Sequence, residues 1–189
     1  AVVNGFGVLF VAGFTATNKL YGVLECAPIA FGYAVTTYVG QNLGAVLYDR
    51  IRKGVHQGVI MAIVTSVIIS ISMIVFGENI LSLFSSGTKE NVEFVLQIEF
   101  TYLSLMACFL WILYLLHVYR SALQGIGNTV IPMVSGIVEF IMRVGAALVL
   151  PVFIGTDGIY YGEISAWTEG AVLLIVSYYI YRRPYRKNI

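Results

Sequence analysis

The sequence predicts an all-α fold: a polytopic transmembrane helix bundle of about five full spans plus the end of a sixth. Three observations carry this. Hydrophobic residues make up 59% of the 189-residue chain and charged residues only 11%, against roughly 45–50% and 25% in soluble domains. The mean hydropathy is +0.86. The apolar residues gather in runs of the length, about 20 residues, that crosses some 30 Å of hydrocarbon as a helix. A soluble domain could not cover its surface with so few charges, whereas lipid tails solvate apolar side chains.

The spans read in order as 21–47, 55–76, 94–119, 130–154 and 159–181. Glu25 is the single charge of the first run until its end, and the second carries none. Residues Ala1 to Phe14 read as the tail of a further span and a short connection. The chain begins AVVNGFG, without an initiator Met or a basic region ahead of the first apolar stretch, so it does not read as a signal peptide. The simplest account is a piece of a longer polypeptide.

The connections carry turn and cap chemistry. LFSSGTKEN is polar enough for a solvated loop between the second and third spans. In QGIGNT, Gly125 and Gly127 end one helix while Thr129 and Pro132 start the next. GTDG at 155–158 is a tight turn.

Orientation follows from the basic residues. Arg50, Arg52 and Lys53 follow the first span, Arg120 ends the third, and Arg182, Arg183, Arg186 and Lys187 follow the fifth. With alternating spans all three groups fall on one side, which places the C-terminus in the cytoplasm. The other side has Lys19 and Lys89, the latter beside Glu78, Glu90 and Glu93. The net charge of +1 is spread along the chain, unlike the massed basic face of a nucleic-acid binder. Cys26 and Cys108 have no disulfide or metal-ligand spacing and are expected to be small buried hydrophobes.

Two stripes of small residues recur every four positions: Gly32, Thr36, Gly40 and Gly44 in the first span, and Gly158, Gly162, Ala166 and Gly170 in the fifth. Such a spacing holds one helix face and lets helices approach closely, whether as fixed packing or as a sliding surface.

Ionisable residues inside spans are costly and face protein or water. Glu25, Glu99 and Glu163 lie toward the outer ends. Glu139 and Arg143, four apart with the acid first, have the favourable order for an intrahelical pair. That pair is either structural or a switch in which a proton or cation takes Glu139 and frees Arg143. Glu169 has no basic partner on its own helix; it is either a coupling group or satisfied from another helix, Arg143 being one source. In the third span Tyr114, His117, Ser121 and Gln124 form a polar stripe that continues outward to Tyr102 and Glu99, which suits a cavity wall; Tyr and His also serve as interfacial anchors. Thirteen tyrosines are present, several at span ends such as Tyr178, Tyr179 and Tyr181, as in an interfacial belt.

Three segments carry a family resemblance. TTYVGQNLGA (36–45) followed by YDRIRKG (48–54) resembles the helix end and cytoplasmic loop of multidrug and toxic compound extrusion (MATE) transporters. YRSALQGIGNTVIPMVSGIVEFIMR (119–143) is similar to a second signature in that family's C-terminal lobe, and VNGFG (3–7) to the end of its seventh helix. Their order and spacing match over nearly the whole chain. The resemblance implies two six-helix lobes, with residues 1–189 forming the C-terminal one from the end of helix seven to helix twelve. It implies a multi-pass plasma-membrane exporter of small cationic or amphipathic compounds, driven by Na⁺ or H⁺, whose partners are the bilayer and the N-terminal lobe of the same polypeptide. No cofactor or nucleic acid enters. Gln41, Asn42, Asp49, Arg50 and Arg52 fall in the cytoplasmic loop motif, where Gln41 and Asn42 are expected to stabilise the junction rather than touch substrate. Family members with a cation site in this lobe use an Asp in helix ten. Leu113 stands at that position here, with Tyr114 beside it, so the site has moved or coupling lies in the other lobe.

The residues leave other classes weaker. A lipid-linked oligosaccharide flippase needs a basic cavity, and Arg143 is the one deep basic residue. An enzyme is not indicated, since no HExxH, GxSxG or Walker sequence occurs. A purely structural membrane subunit would not need Glu139 and Glu169 within its spans.

Overall fold

The computed structural model describes residues 8–82, 89–155 and 157–181. They form five helices: α1 (Val8–Gly44), α2 (Tyr48–Ser82), α3 (Lys89–Gly125), α4 (Val130–Ile154) and α5 (Asp157–Tyr181). Each contains a stretch long and apolar enough to cross a membrane. Of the tail and short connection expected over Ala1 to Phe14, the part from Val8 onward is instead continuous with the first span in one helix, because nothing in VLFVAGFTATNK beyond an isolated Gly13 interrupts a helix. Residues 1–7, and most of the expected LFSSGTKEN loop, lie outside the described residues.

α3 is the central helix. It packs against α1, α2 and α5, while α4 packs chiefly on α5. Most side chains of α3 are consequently buried, among them Leu103, Met106, Leu110, Leu116 and Leu123, while one stripe through Thr101, Cys108 and Trp111 stays exposed. α2 and α4 present the reverse: Ile60, Val64, Ile68, Ile137, Phe140, Val144 and Leu148 are exposed. Such surfaces are stable against lipid or another apolar protein face rather than water. Cys26 and Cys108 are also exposed, contrary to expectation. A small apolar side chain has no need of protein burial where the surrounding medium is hydrocarbon.

Both small-residue stripes are contact faces. A Cβ built on Gly32 would lie 2.7 Å from Ser121 Oγ, and Thr36 Oγ1 donates to the Ser121 carbonyl at 3.2 Å, so this face of α1 meets α3. On α5 a Cβ at Gly158 would lie 2.5 Å from the Leu150–Pro151 backbone, and one at Gly170 would lie 2.6 Å from the Glu139 carboxylate. α5 therefore runs antiparallel along α4 with its glycines in the seam. Gly44 touches nothing within 4 Å and plays no part in this packing.

The corners that follow α1 and α3 share one design. After α3, the Asn128 N–H bonds the Leu123 carbonyl at 3.0 Å and the Gly127 N–H bonds that of Gln124 at 2.9 Å, with Gly127 at φ 84. This is a Schellman ending. Asn128 then accepts the Ile131 N–H on Oδ1 at 3.1 Å. Asn128, rather than the expected Thr129, provides the side-chain cap of α4, since Thr129 makes no cap hydrogen bond. After α1, the Leu47 and Val46 N–H groups bond the Asn42 and Leu43 carbonyls in the same pattern at 2.8 and 3.0 Å. Here the left-handed position, at φ 59, is held by Val46. A β-branched side chain in that region costs about 1–2 kcal/mol. Val46 is exposed, so little packing is lost on its removal. Val46→Gly is expected to raise the thermal midpoint in detergent by about 3 °C, about 1 kcal/mol for a protein of this size. An unchanged or lowered midpoint would show that the corner is not strained.

Candidate functional site

The charged groups of the spans form two interhelical pairs rather than one intrahelical pair. The Arg120 guanidinium of α3 donates to Oε1 of Glu139 on α4, and Ser135 Oγ, one turn earlier on α4, donates to the same oxygen at 2.7 Å. The Glu139 side chain is 12% exposed and lies over Gly170 of α5. Arg143 Nε reaches across to Glu163 of α5 at 2.9 Å. No ion pair joins Glu139 to Arg143, contrary to the sequence reading. Positions 135, 139 and 143 share one face of α4, and that face lies in the seam with α5. A partner on a neighbouring helix neutralises each charge without bending a side chain back along its own helix.

Farther along the bundle from Glu139, toward the start of α5, α1, α3 and α5 contribute a cluster of acids, amides and phenols. Tyr21 Oη donates to Glu25 Oε1 at 3.0 Å, and Tyr102 Oη donates to Asn18 Oδ1 at 3.2 Å. Tyr102 stacks on Tyr160 with centroids 4.7 Å apart, and Tyr21 stacks on Trp167 at 5.6 Å. Such offset aromatic pairs fix the phenol positions. Glu163 pairs with Arg143 and also lies near enough to Glu25 for the two carboxylates to repel each other. Nothing local in the sequence marks Asn18 or Tyr160. Their stacking and hydrogen-bonding partners are at least 58 residues away along the chain.

Among the described residues five buried polar atoms lack a hydrogen-bond partner: Glu169 Oε2, Trp167 Nε1, Tyr114 Oη, Ser104 Oγ and Arg120 Nε. The suggestion that Arg143 satisfies Glu169 fails, because that guanidinium is taken by Glu163. Unsatisfied polar atoms at membrane depth are costly and mark places where an ion, water or ligand gains most by binding.

The expected cavity wall on α3 is divided. Glu99, Tyr102 and Tyr114 are buried, His117 is partly buried with Nδ1 3.0 Å from the Leu113 carbonyl, and Gln124 is exposed. Phe31 of α1 covers Tyr114, with centroids 5.9 Å apart. Because α3 is central, neighbours from α1 and α5 close over the stripe. The cytoplasmic-motif residues act locally. Asn42 Nδ2 donates to the Tyr38 carbonyl at 2.8 Å, Tyr38 Oη donates to the Arg50 carbonyl at 3.2 Å, Asp49 pairs with Arg52 at 3.4 Å, and Gln41 is exposed.

The geometry is that of a helical membrane bundle with neutralised charges in its seams. Residues 1–149 match the MatE family, and the chain belongs to it. It is 27% identical over 82 residues to the "Probable multidrug resistance protein YoeA" of Bacillus subtilis (strain 168), covering 43% of this chain and 18% of that protein. Two solved structures share the fold. One, described as the inward-facing conformation of a multidrug resistance MATE family transporter of the MOP superfamily, superposes with a TM-score of 0.83 at 14% identity, covering 92% of this chain and 39% of that one. The other, a MOP superfamily transporter from Pyrococcus furiosus described by the reverse polarity of its binding pocket, gives 0.83 at 18% identity, covering 95% and 40%. The chain thus spans well under half the length of the proteins it matches.

Proposed function

We propose that this chain acts as the C-terminal lobe of a secondary transporter that exports cationic or amphipathic compounds across the plasma membrane, coupled to Na⁺ or H⁺. The family match over residues 1–149 carries the reading. The lobe would rock against an N-terminal lobe, exposing a shared cavity to each side in turn. Glu139, Glu169, Glu25 and Arg143 are the coupling candidates. Glu169 is favoured among them, because one buried carboxylate oxygen has no partner and an arriving cation or proton would satisfy it.

The flippase alternative is not favoured. Arg120 and Arg143 are each neutralised by a carboxylate, so neither offers a spare positive charge to a pyrophosphate.

Dye efflux from vesicles holding the intact protein, under imposed Na⁺ and H⁺ gradients, tests the reading. Glu139→Gln and Glu169→Gln are each expected to reduce gradient-driven export by about fivefold or more, the lower end of coupling energies between linked sites. Wild-type efflux indifferent to both gradients would remove antiport, and full activity in both variants would remove these acids from the coupling.

A further inference from the structure

We propose that the inner ends of α2, α3 and α5 form a binding site for an anionic phospholipid, seating its phosphate in a basic, tyrosine-lined cleft and its acyl chain on α2. The cleft has a volume of about 250 Å³ and is lined by Arg52, Lys53 and His56 of α2, Tyr119 of α3, and Tyr178 and Tyr179 of α5. The inference rests on the membrane reading of these helices and is independent of what the protein exports.

Three features point to a phosphate-bearing amphiphile. The first is charge. Lys53 and His56 have no carboxylate partner among the described residues, and Arg52 is held only by the exposed Asp49. Such a pair is screened by water and leaves the guanidinium able to turn to a phosphate. The second is rigidity. Tyr119 packs against Tyr178 and Tyr179 with centroids 5.4 and 6.3 Å apart, and those two pack against each other at 5.7 Å. Tyr119 and Tyr178 are buried while Tyr179 is half exposed, so the wall is already formed. Phenols beside cations at the end of a span stand at headgroup level.

The third feature separates a lipid from free phosphate. Lys53, His56, Ile60 and Val64 follow one another at spacings of three, four and four, which keeps them on one side of α2. Ile60 and Val64 are 49% and 53% exposed. An apolar track therefore leads from the basic cleft toward the membrane interior, where an acyl chain would lie. Inorganic phosphate has no use for it. Basic clefts between spans on the cytoplasmic side suit anionic headgroups on general electrostatic grounds.

The test uses the intact protein, delipidated in neutral detergent. Its thermal midpoint is measured against added phosphatidylglycerol, phosphatidylcholine or inorganic phosphate. Phosphatidylglycerol is expected to raise the midpoint saturably, and the other two to leave it near the lipid-free value. Lys53→Gln with His56→Gln is expected to weaken the phosphatidylglycerol effect by about fivefold or more. Tyr179→Phe, which keeps the ring and loses one phenol, should weaken it less and guards against a folding artefact in the double variant. Equal stabilisation by inorganic phosphate or by phosphatidylcholine would overturn the anionic-lipid assignment. Undiminished stabilisation of the double variant would overturn the site.

Discussion

Arg120→Ala is expected to destabilise the bundle by about 3 kcal/mol, the lower end of what removing one partner of a buried ion pair costs. The reason is the carboxylate left behind. Glu139 is nearly buried, and its Oε1 takes hydrogen bonds from both Arg120 and Ser135. Without the guanidinium, Ser135 alone faces a charge that the surrounding hydrocarbon cannot solvate. The pair is not perfectly fitted even in the wild type, since Arg120 Nε is buried without a partner. Removing both charges should therefore cost much less than removing the cation alone. Arg120→Ala combined with Glu139→Gln is expected to recover at least about 1 kcal/mol relative to Arg120→Ala, the coupling typical of contacting residues. Thermal midpoints in one detergent for the two single variants and the double complete the cycle. Additive effects would mean that the pair contributes no coupling. The cycle reads stability only, so it is separate from the export defect expected for Glu139→Gln.

The membrane architecture was legible because it depends on quantities local in sequence. Apolar runs, their lengths, and turn residues such as Gly127 and Gly155 declare spans and corners wherever the helices end up. Both glycine stripes were legible for the same reason, because a spacing of four survives any arrangement of neighbours. The site was less so. The order of Glu139 and Arg143 favours a pair within one helix, yet each finds its partner across a seam, on α3 and on α5. Which neighbour faces position 139 depends on the rotation of α4 against α5, and that rotation follows the close approach of α5 glycines to Ala146, Leu150 and Pro151 of α4, which no spacing within α4 reveals. The α3 stripe misled in a related way. A polar face suits a cavity only if the helix stands at the edge of a bundle, and α3 stands at its centre. The corner cap on Asn128 was missed by one residue because the sequence offered Asn and Thr side by side, and only geometry chooses between them.

Gly125→Ala is expected to destabilise by about 2 kcal/mol, even though the same exchange in an open helix stabilises by about 1 kcal/mol. An added Cβ would lie 2.7 Å from Val39 Cβ, 2.9 Å from its Cγ1 and 3.0 Å from the Thr36 carbonyl oxygen. Two of these are a backbone oxygen and a carbon fixed directly to the backbone, so no rotamer change relieves the overlap. α1 and α3 must instead move apart, which loosens the Gly32–Ser121 contact and the Thr36 hydrogen bond along the same seam. Val39 is fully buried at this point, leaving no free space to receive it. Gly136→Ala and Gly145→Ala supply the contrast, since a Cβ at either position of α4 would meet nothing within 4 Å. Both are expected to leave the midpoint unchanged or raise it through helix propensity alone. The comparison isolates close helix approach from the conformational freedom of glycine, because all three exchanges remove the same flexibility. If Gly125→Ala behaved like the two α4 variants, α1 and α3 would have to yield readily at this seam, and the small-residue face of α1 would be a loose surface rather than a fixed contact.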